Sequence, residues 1–370
     1  MGTMTNQLRA LTQSPILLEP NRVWRIYHGG RTIDRYQNKL QPVDSLFPEE
    51  WVGSCVQAVN PAEHFREGEG LALISKGLSK PVTLKSVIEQ FPEEMLGTSH
   101  VKAYGPNPAL LVKLLDAAIR LLIHAHPSKD FAKQHLNSCF GKTEAWFILE
   151  TRPEVDDPFV LIAFREEVSR ERYRDILRRQ DINEMMKVMH RVSVKAGDVV
   201  YVKAGLPHAI GEGAFMVELQ EPTDFSIILE RLTAAYTFRE DECFLGLDPG
   251  LVLSNLIYRP YSLEEVQRAL VIKPKLLRRD GESAEYQLLG YDTSECFAGN
   301  RLDVKKQLND STHGKFHILI VLDGEGKLLH SHGEVPLRRG VEMFVPASVG
   351  DHQFVSSSNV TMFKCLPAQA

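Results

Sequence analysis

The chain has 370 residues, 43% hydrophobic and 25% charged, ordinary globular values that exclude a mainly disordered or collagen-like chain. Its 43 basic residues against 48 acidic ones give a net charge of −5, which argues against nucleic-acid or membrane-surface binding. The five cysteines, Cys55, Cys139, Cys243, Cys296 and Cys365, lie far apart with no CxxC, so neither a disulfide framework nor a thiolate zinc site is expected and a reducing, cytoplasmic compartment fits.

Residues 1–20 read as a frayed lead-in with no apolar core of signal-peptide length. From Trp24 to about Leu73, short segments broken by Gly and Pro suit strands and loops. Residues 84–90 read as a short helix, capped by Thr83 and stopped by Pro92. The most apolar stretch, 109–125, carries Lys113, Asp116 and Arg120 and makes a poor bilayer span. Residues 166–190, rich in Arg, Glu and Met without Gly or Pro, read as a helical insertion, and Ser262 with Glu265 forms a capping box. The runs 198–203, 215–220, 226–229, 317–322 and 360–364 are β-branched or aromatic and read as strands. Many short strands between Gly/Pro turns indicate a mainly β protein of sandwich or barrel type.

Two stretches resemble each other. Residues 195–208 and 339–352 each run Gly, apolar strand, a turn ending in Gly, then His. This predicts two related β-domains. We divide the chain into a lead-in (1–20), a metal-binding domain (21–235), a helical linker (236–284) and a second β-domain (285–370).

The chemistry concentrates in three places. In Leu121-Leu-Ile-His124-Ala-His126-Pro127, a helix would set the two imidazoles on opposite sides, whereas a strand puts both on one face within reach of one ion. In Gly141-Lys142-Thr143-Glu144, Lys142 and Glu144 also share a strand face, and in Ala204-Gly205-Leu206-Pro207-His208 a tight turn delivers His208 inward. Each is commonplace alone: chance histidines, a routine Lys/Glu pair, a hairpin with an incidental His. Together, His124, His126, Glu144 and His208 supply three imidazoles and a carboxylate, a first shell for Zn²⁺, Mn²⁺ or Fe²⁺ with positions left open.

These segments, with Val217-Glu-Leu-Gln-Glu-Pro-Thr-Asp224 and Glu50-Trp-Val-Gly-Ser54, resemble type I mannose-6-phosphate isomerases of the cupin superfamily. The resemblance spans about residues 20–235, the remainder being similar only as a degenerate second cupin. It implies two jelly-roll β-barrels with helical insertions, one metal ion per chain (usually zinc) on His126, Glu144, His208 and the residue at 124, and a sugar-phosphate substrate. The implied reaction interconverts mannose 6-phosphate and fructose 6-phosphate through an enediol-type intermediate, with Lys142 beside the ligand glutamate to stabilise negative charge.

Two positions depart from the family pattern. His124 stands where the family has Gln, and Ile228 where it has an active-site arginine four residues after Asp224. Arg231 is the nearest substitute, with Lys203 next, and we expect one of them in the cavity. A metal-binding cupin of another class (an oxygenase or another sugar isomerase) and a non-catalytic sugar-phosphate sensor are the alternative readings. In the second domain His330-Ser-His332 imitates HxH out of place. His313, His317 and His352 fall at ligand-type positions that turn and core roles explain.

Overall fold

The computed structural model describes residues 2–233 and 235–369. Apart from the two-stranded ribbon Leu73–Ile74 with Val82–Thr83, its strands form two pairs of antiparallel sheets that repeat one order. The first large sheet runs Val271–Ile272, Val199–Val202, Glu144–Thr151, Ala214–Gln220, Leu111–Asp116, Glu49–Val52, Arg22–Val23. Its smaller partner runs Met189–Ser193, Phe159–Phe164, His208–Ile210, His124–Ala125, Ile227–Ile228. The second large sheet runs Ile16–Leu17, Glu342–Val345, His317–Asp323, Val360–Leu366, Ala298–Val304, Ser283–Leu289, Lys275–Asp280. It faces Gln307–Ser311, Asp351–Ser356, Glu325–His330 and Gly333–Arg338. The two-cupin reading therefore stands.

Side-chain alternation decides what each sheet touches. Along Glu144–Thr151, Trp146 and Ile148 point into the first barrel, against Val160, Ile162 and Ile210 of the smaller sheet. Ala145 and Phe147 point the other way, into a core shared with Ile318, Phe344 and Phe363 of the second large sheet. Phe147 and Phe363 meet edge to face, ring centroids 4.7 Å apart. The two large sheets thus pack back to back, and the smaller sheets lie outside. Both faces of the central strands of the first large sheet, Val199–Val202, Glu144–Thr151, Ala214–Gln220 and Leu111–Asp116, are largely buried, so they read as mostly apolar runs, and the charged residues that interrupt them mark the site.

The helix Leu84–Gln90 forms with Thr83 accepting from the Ser86 amide, and Pro92 opens the next helix, Pro92–Leu96. The helix Leu263–Ala269 carries its capping box.

Three expectations need revision. The first twenty residues are not frayed: they contain the helix Gly2–Leu11 and the strand Ile16–Leu17, which pairs with Glu342–Val345. The cause is apolar burial, since Leu8 and Ile16 join the core between the barrels. The helical block 166–190 is two helices, Arg170–Arg179 and Ile182–Lys187, split at Gln180 in the left-handed region, and His190 already belongs to a strand. Residues 236–284 do more than link, because Val271–Ile272 completes one large sheet and Lys275–Asp280 the other. No helix among the described residues is long and apolar enough to cross a membrane.

Candidate metal centre and cavity

His124 pairs directly with His208 across the smaller sheet, and their Nε2 atoms lie 3.1 Å apart. His126 Nε2 is 3.0 Å from Glu144 Oε2, and His208 Nε2 is 3.3 Å from Glu144 Oε1. The strand reading of the HxH is correct. All four residues selected from the sequence converge on one point, and ligand atoms of the three histidines lie within 4.8 Å of one another.

Each imidazole is oriented by a backbone carbonyl. Nδ1 of His124 meets the Leu122 carbonyl at 2.9 Å, that of His126 the Phe225 carbonyl at 2.8 Å, and that of His208 the Leu206 carbonyl at 2.8 Å. A neutral ring that donates from Nδ1 presents a lone pair at Nε2. Lys142 Nζ meets the lone pair of His126 at 2.8 Å, but those of His124 and His208 face each other at 3.1 Å, beside a carboxylate whose buried Oε2 has no well-aligned hydrogen bond. Mutual repulsion is relieved by a cation at their centre, so this donor set fits a divalent ion.

The surroundings hold these groups in ligand form. Burial, then the Lys142 charge, pushes His126 down to about 3. Burial and the neighbouring imidazoles hold His124 well below its ordinary value. Burial works to raise the Glu144 carboxyl, but Lys142 and His126 outweigh it and hold it well below the usual range. In the metal-free chain His126 takes its proton at 6.5 when unfolded and only near 3 when folded, so the unfolded state binds more protons between those values. That part of the stability is complete above 6.5 and is lost as pH falls toward 3. Thermal melts of chelator-treated protein should lose midpoint from pH 6.5 to 5 more steeply for the wild type than for His126→Gln; parallel slopes would contradict this.

The two motif glycines are sterically required. A Cβ at Gly141 would stand 2.6 Å from the Lys129 amide nitrogen. Gly205 has φ of +87°, and its Cβ would stand 2.7 Å from the Asn255 carbonyl oxygen, so both turns need glycine. Glu221 straps the first turn by accepting from the Gly141 and Thr143 amides. This places Lys142 Nζ 2.8 Å from His126 Nε2 and 3.2 Å from Glu144 Oε2.

The centre opens into a cavity of about 540 Å³, with His124, Lys142 and Glu144 in its wall. Charged residues that the sequence reading passed over line it too. Lys113 Nζ lies 3.0 Å from Glu218 and 3.6 Å from Glu49. Arg25 bridges Glu49 and Asp224, each at 3.1 Å, and Arg120 pairs with Glu230 at 2.6 Å. The available signal was a charge between apolar neighbours within a strand: Lys113 in Leu111–Asp116 and Glu218 in Ala214–Gln220.

The arginine question resolves differently from the expectation. Ile228 lines the cavity, but neither Arg231 nor Lys203 does. The strand Ile227–Ile228 ends before Arg231. Arg231 instead sits in a turn, donating from Nε to the Phe238 carbonyl while its amide donates to Gln180. Lys203 is exposed. Arg25, Lys113 and Arg120 are the additional cations in the wall.

The fold and this centre define a two-barrel cupin protein with a histidine-rich cluster able to hold a metal ion in its first barrel. Residues 289–362 match the family described as "Mannose-6-phosphate isomerase, cupin domain". The chain is 25% identical to mannose-6-phosphate isomerase ManA of Bacillus subtilis, with 92% of this chain and 96% of the relative covered. It is 24% identical to the mannose-6-phosphate isomerase of Streptococcus mutans, covering 77% and 81% respectively. The crystal structure of the Bacillus subtilis mannose 6-phosphate isomerase superposes with TM-score 0.72 at 20% identity, covering 95% of this chain and 99% of that one. The resemblance to type I mannose-6-phosphate isomerases thus extends well past residue 235, into the second barrel.

Proposed function

We propose that this chain is a metal-dependent aldose–ketose isomerase that interconverts mannose 6-phosphate and fructose 6-phosphate. The observation that carries it is the joining of a three-imidazole, one-carboxylate centre to a cavity walled by the cations Arg25, Lys113, Arg120 and Lys142. The relatives' activity supports the same reading. His124, His126, Glu144 and His208 would hold one zinc ion, with Mn²⁺ or Fe²⁺ as substitutes. The five free cysteines suit a cytoplasmic enzyme.

A proton must move between C-2 and C-1 of the open-chain sugar while negative charge develops on the neighbouring oxygens. A divalent ion at this centre supplies Lewis-acid stabilisation of that charge. Lys142 supplies a second, preorganised positive charge from the same wall. The two cavity carboxyls beside Lys113 differ in kind. Glu49 is saturated by Arg25, Lys113, Tyr27 and Trp51, and despite burial is held far below the usual carboxylate range. Burial raises Glu218 more than Lys113 lowers it. A carboxyl with raised pKa is the better base near neutral pH, so we assign the proton transfer to Glu218. Its Oε1 is fixed by the Trp146 indole N–H at 3.1 Å, which also reaches Glu144 at 3.1 Å.

Turnover of mannose 6-phosphate in deuterium oxide tests this reading. Solvent deuterium at C-1 of the fructose 6-phosphate supports it, and no turnover with metal bound contradicts it. Lys142→Met should lower kcat by roughly 10²–10³, the scale of deleting one electrostatic stabiliser, with metal content unchanged. Loss of metal instead would make Lys142 a support of the centre.

A further inference from the structure

The second barrel repeats the first closely enough for its positions to be matched by register. In each large sheet the third strand opens with a buried titratable side chain, Glu144 in one and His317 in the other. In the smaller sheets His208 faces His124, and His352 faces Asp310. Asp310, His317 and His352 therefore occupy the places of His124, Glu144 and His208. Their ligand atoms lie within 4.8 Å of one another.

We propose that the second barrel holds a divalent metal ion of its own, bound by Asp310, His317 and His352. The orientation of His352 repeats that of His208. Its Nδ1 meets the Gly350 carbonyl at 2.9 Å, two residues upstream, as Nδ1 of His208 meets the Leu206 carbonyl. The neutral ring then aims an Nε2 lone pair into the barrel. Nε2 of His352 and Nε2 of His317 are both buried without a hydrogen-bond partner. Nε2 of His352 lies 3.6 Å from Asp310 Oδ2, and a lone pair facing a carboxylate at that range is satisfied by a cation between them. Two imidazoles and one carboxylate select a borderline ion such as Zn²⁺, Co²⁺ or Fe²⁺. His317 and His352 are almost wholly buried, which makes the ion structural rather than a site of turnover. His313, the ligand candidate on sequence grounds, lies exposed on the loop, and Asp310 replaces it.

A built-in competitor weakens this site. Lys364 Nζ lies 2.8 Å from Asp310 Oδ2 and 3.1 Å from Glu285, while Arg278 takes the other Asp310 oxygen at 2.9 Å. An incoming ion displaces the ammonium from Asp310, and Lys364 keeps Glu285. The second ion should therefore bind more weakly than the first, and removal of the competitor should tighten it.

The test is titration of chelator-stripped full-length protein with Co²⁺, followed by visible absorption and calorimetry. Two equivalents per chain are expected, the weaker lost in His352→Ala and the tighter in Glu144→Gln. Lys364→Met should tighten the weaker site by about tenfold, the scale on which neighbouring groups alter metal affinity. Saturation of the wild type at one equivalent overturns the proposal. So does a second equivalent that survives His352→Ala and vanishes in His332→Ala, which would place it on the surface pair His330 and His332. Where His352→Ala fails to fold, Glu144→Gln decides: one remaining equivalent supports the second site, none overturns it.

Discussion

Glu218→Gln should lower kcat for mannose 6-phosphate isomerisation by roughly 10²–10⁴, the range for loss of a positioned general base, while metal content stays at the wild-type level. The amide keeps the shape of the side chain and can still accept from the Trp146 indole, but it cannot take the C-2 proton. Lys113 retains Glu49 at 3.6 Å, so its charge is not left without a carboxylate and the cavity should keep its form. The diagnostic readout is the pH profile. Burial raises the Glu218 carboxyl, so the wild-type kcat should fall as pH drops and this group protonates. That acid limb should disappear in the variant along with deuterium exchange into substrate. A variant that loses activity but keeps both the acid limb and the exchange would move the base elsewhere.

Glu144→Gln should act by a different route, stripping the metal of the first barrel and lowering activity by roughly 10²–10³ or more, at least the loss of one electrostatic stabiliser. Glu144 is the only carboxylate among the four ligands and the partner of the buried Lys142 ammonium at 3.2 Å. Removing its charge leaves that ammonium beside imidazole lone pairs, an uncompensated buried charge that costs about 3–5 kcal/mol when a buried pair is broken. The thermal midpoint should fall with the metal content. Elemental analysis showing full metal occupancy in a folded Glu144→Gln protein would contradict the assigned ligand set.

The proposed ligands were legible in the sequence because local geometry sets the side chains within each segment, although the three segments meet only through strand pairing such as His124 with His208. His124 and His126, like Lys142 and Glu144, are two residues apart on extended backbone, and His208 follows a glycine turn whose shape is written in Gly205 and Pro207. The proposed base Glu218 and its ion-pair partner Lys113 were not legible in this way. Lys113 and Glu218 sit 105 positions apart and meet only because Leu111–Asp116 and Ala214–Gln220 pair in that register. The same holds for Asp310, which reaches His352 through strand pairing and was passed over in favour of the nearer His313. Arg231 misled because it is merely the nearest cation in sequence; the chain turns there, with Arg231 donating to the Phe238 carbonyl and Thr233 to the Tyr236 carbonyl, and Arg231 stays out of the cavity wall. The N-terminal helix was missed because its polar composition hides the few residues, Leu8 among them, that anchor it between the barrels.

Metal-dependent isomerisation of a sugar phosphate in the first barrel is tested by a coupled isomerase assay on chelator-stripped protein, before and after one equivalent of Zn²⁺, over a panel of hexose 6-phosphates. Activity on mannose 6-phosphate should be lost with the metal and restored by it, with none restored in Glu144→Gln. Mannose 6-phosphate turnover unchanged by metal removal, or absent from protein holding its metal, would contradict it.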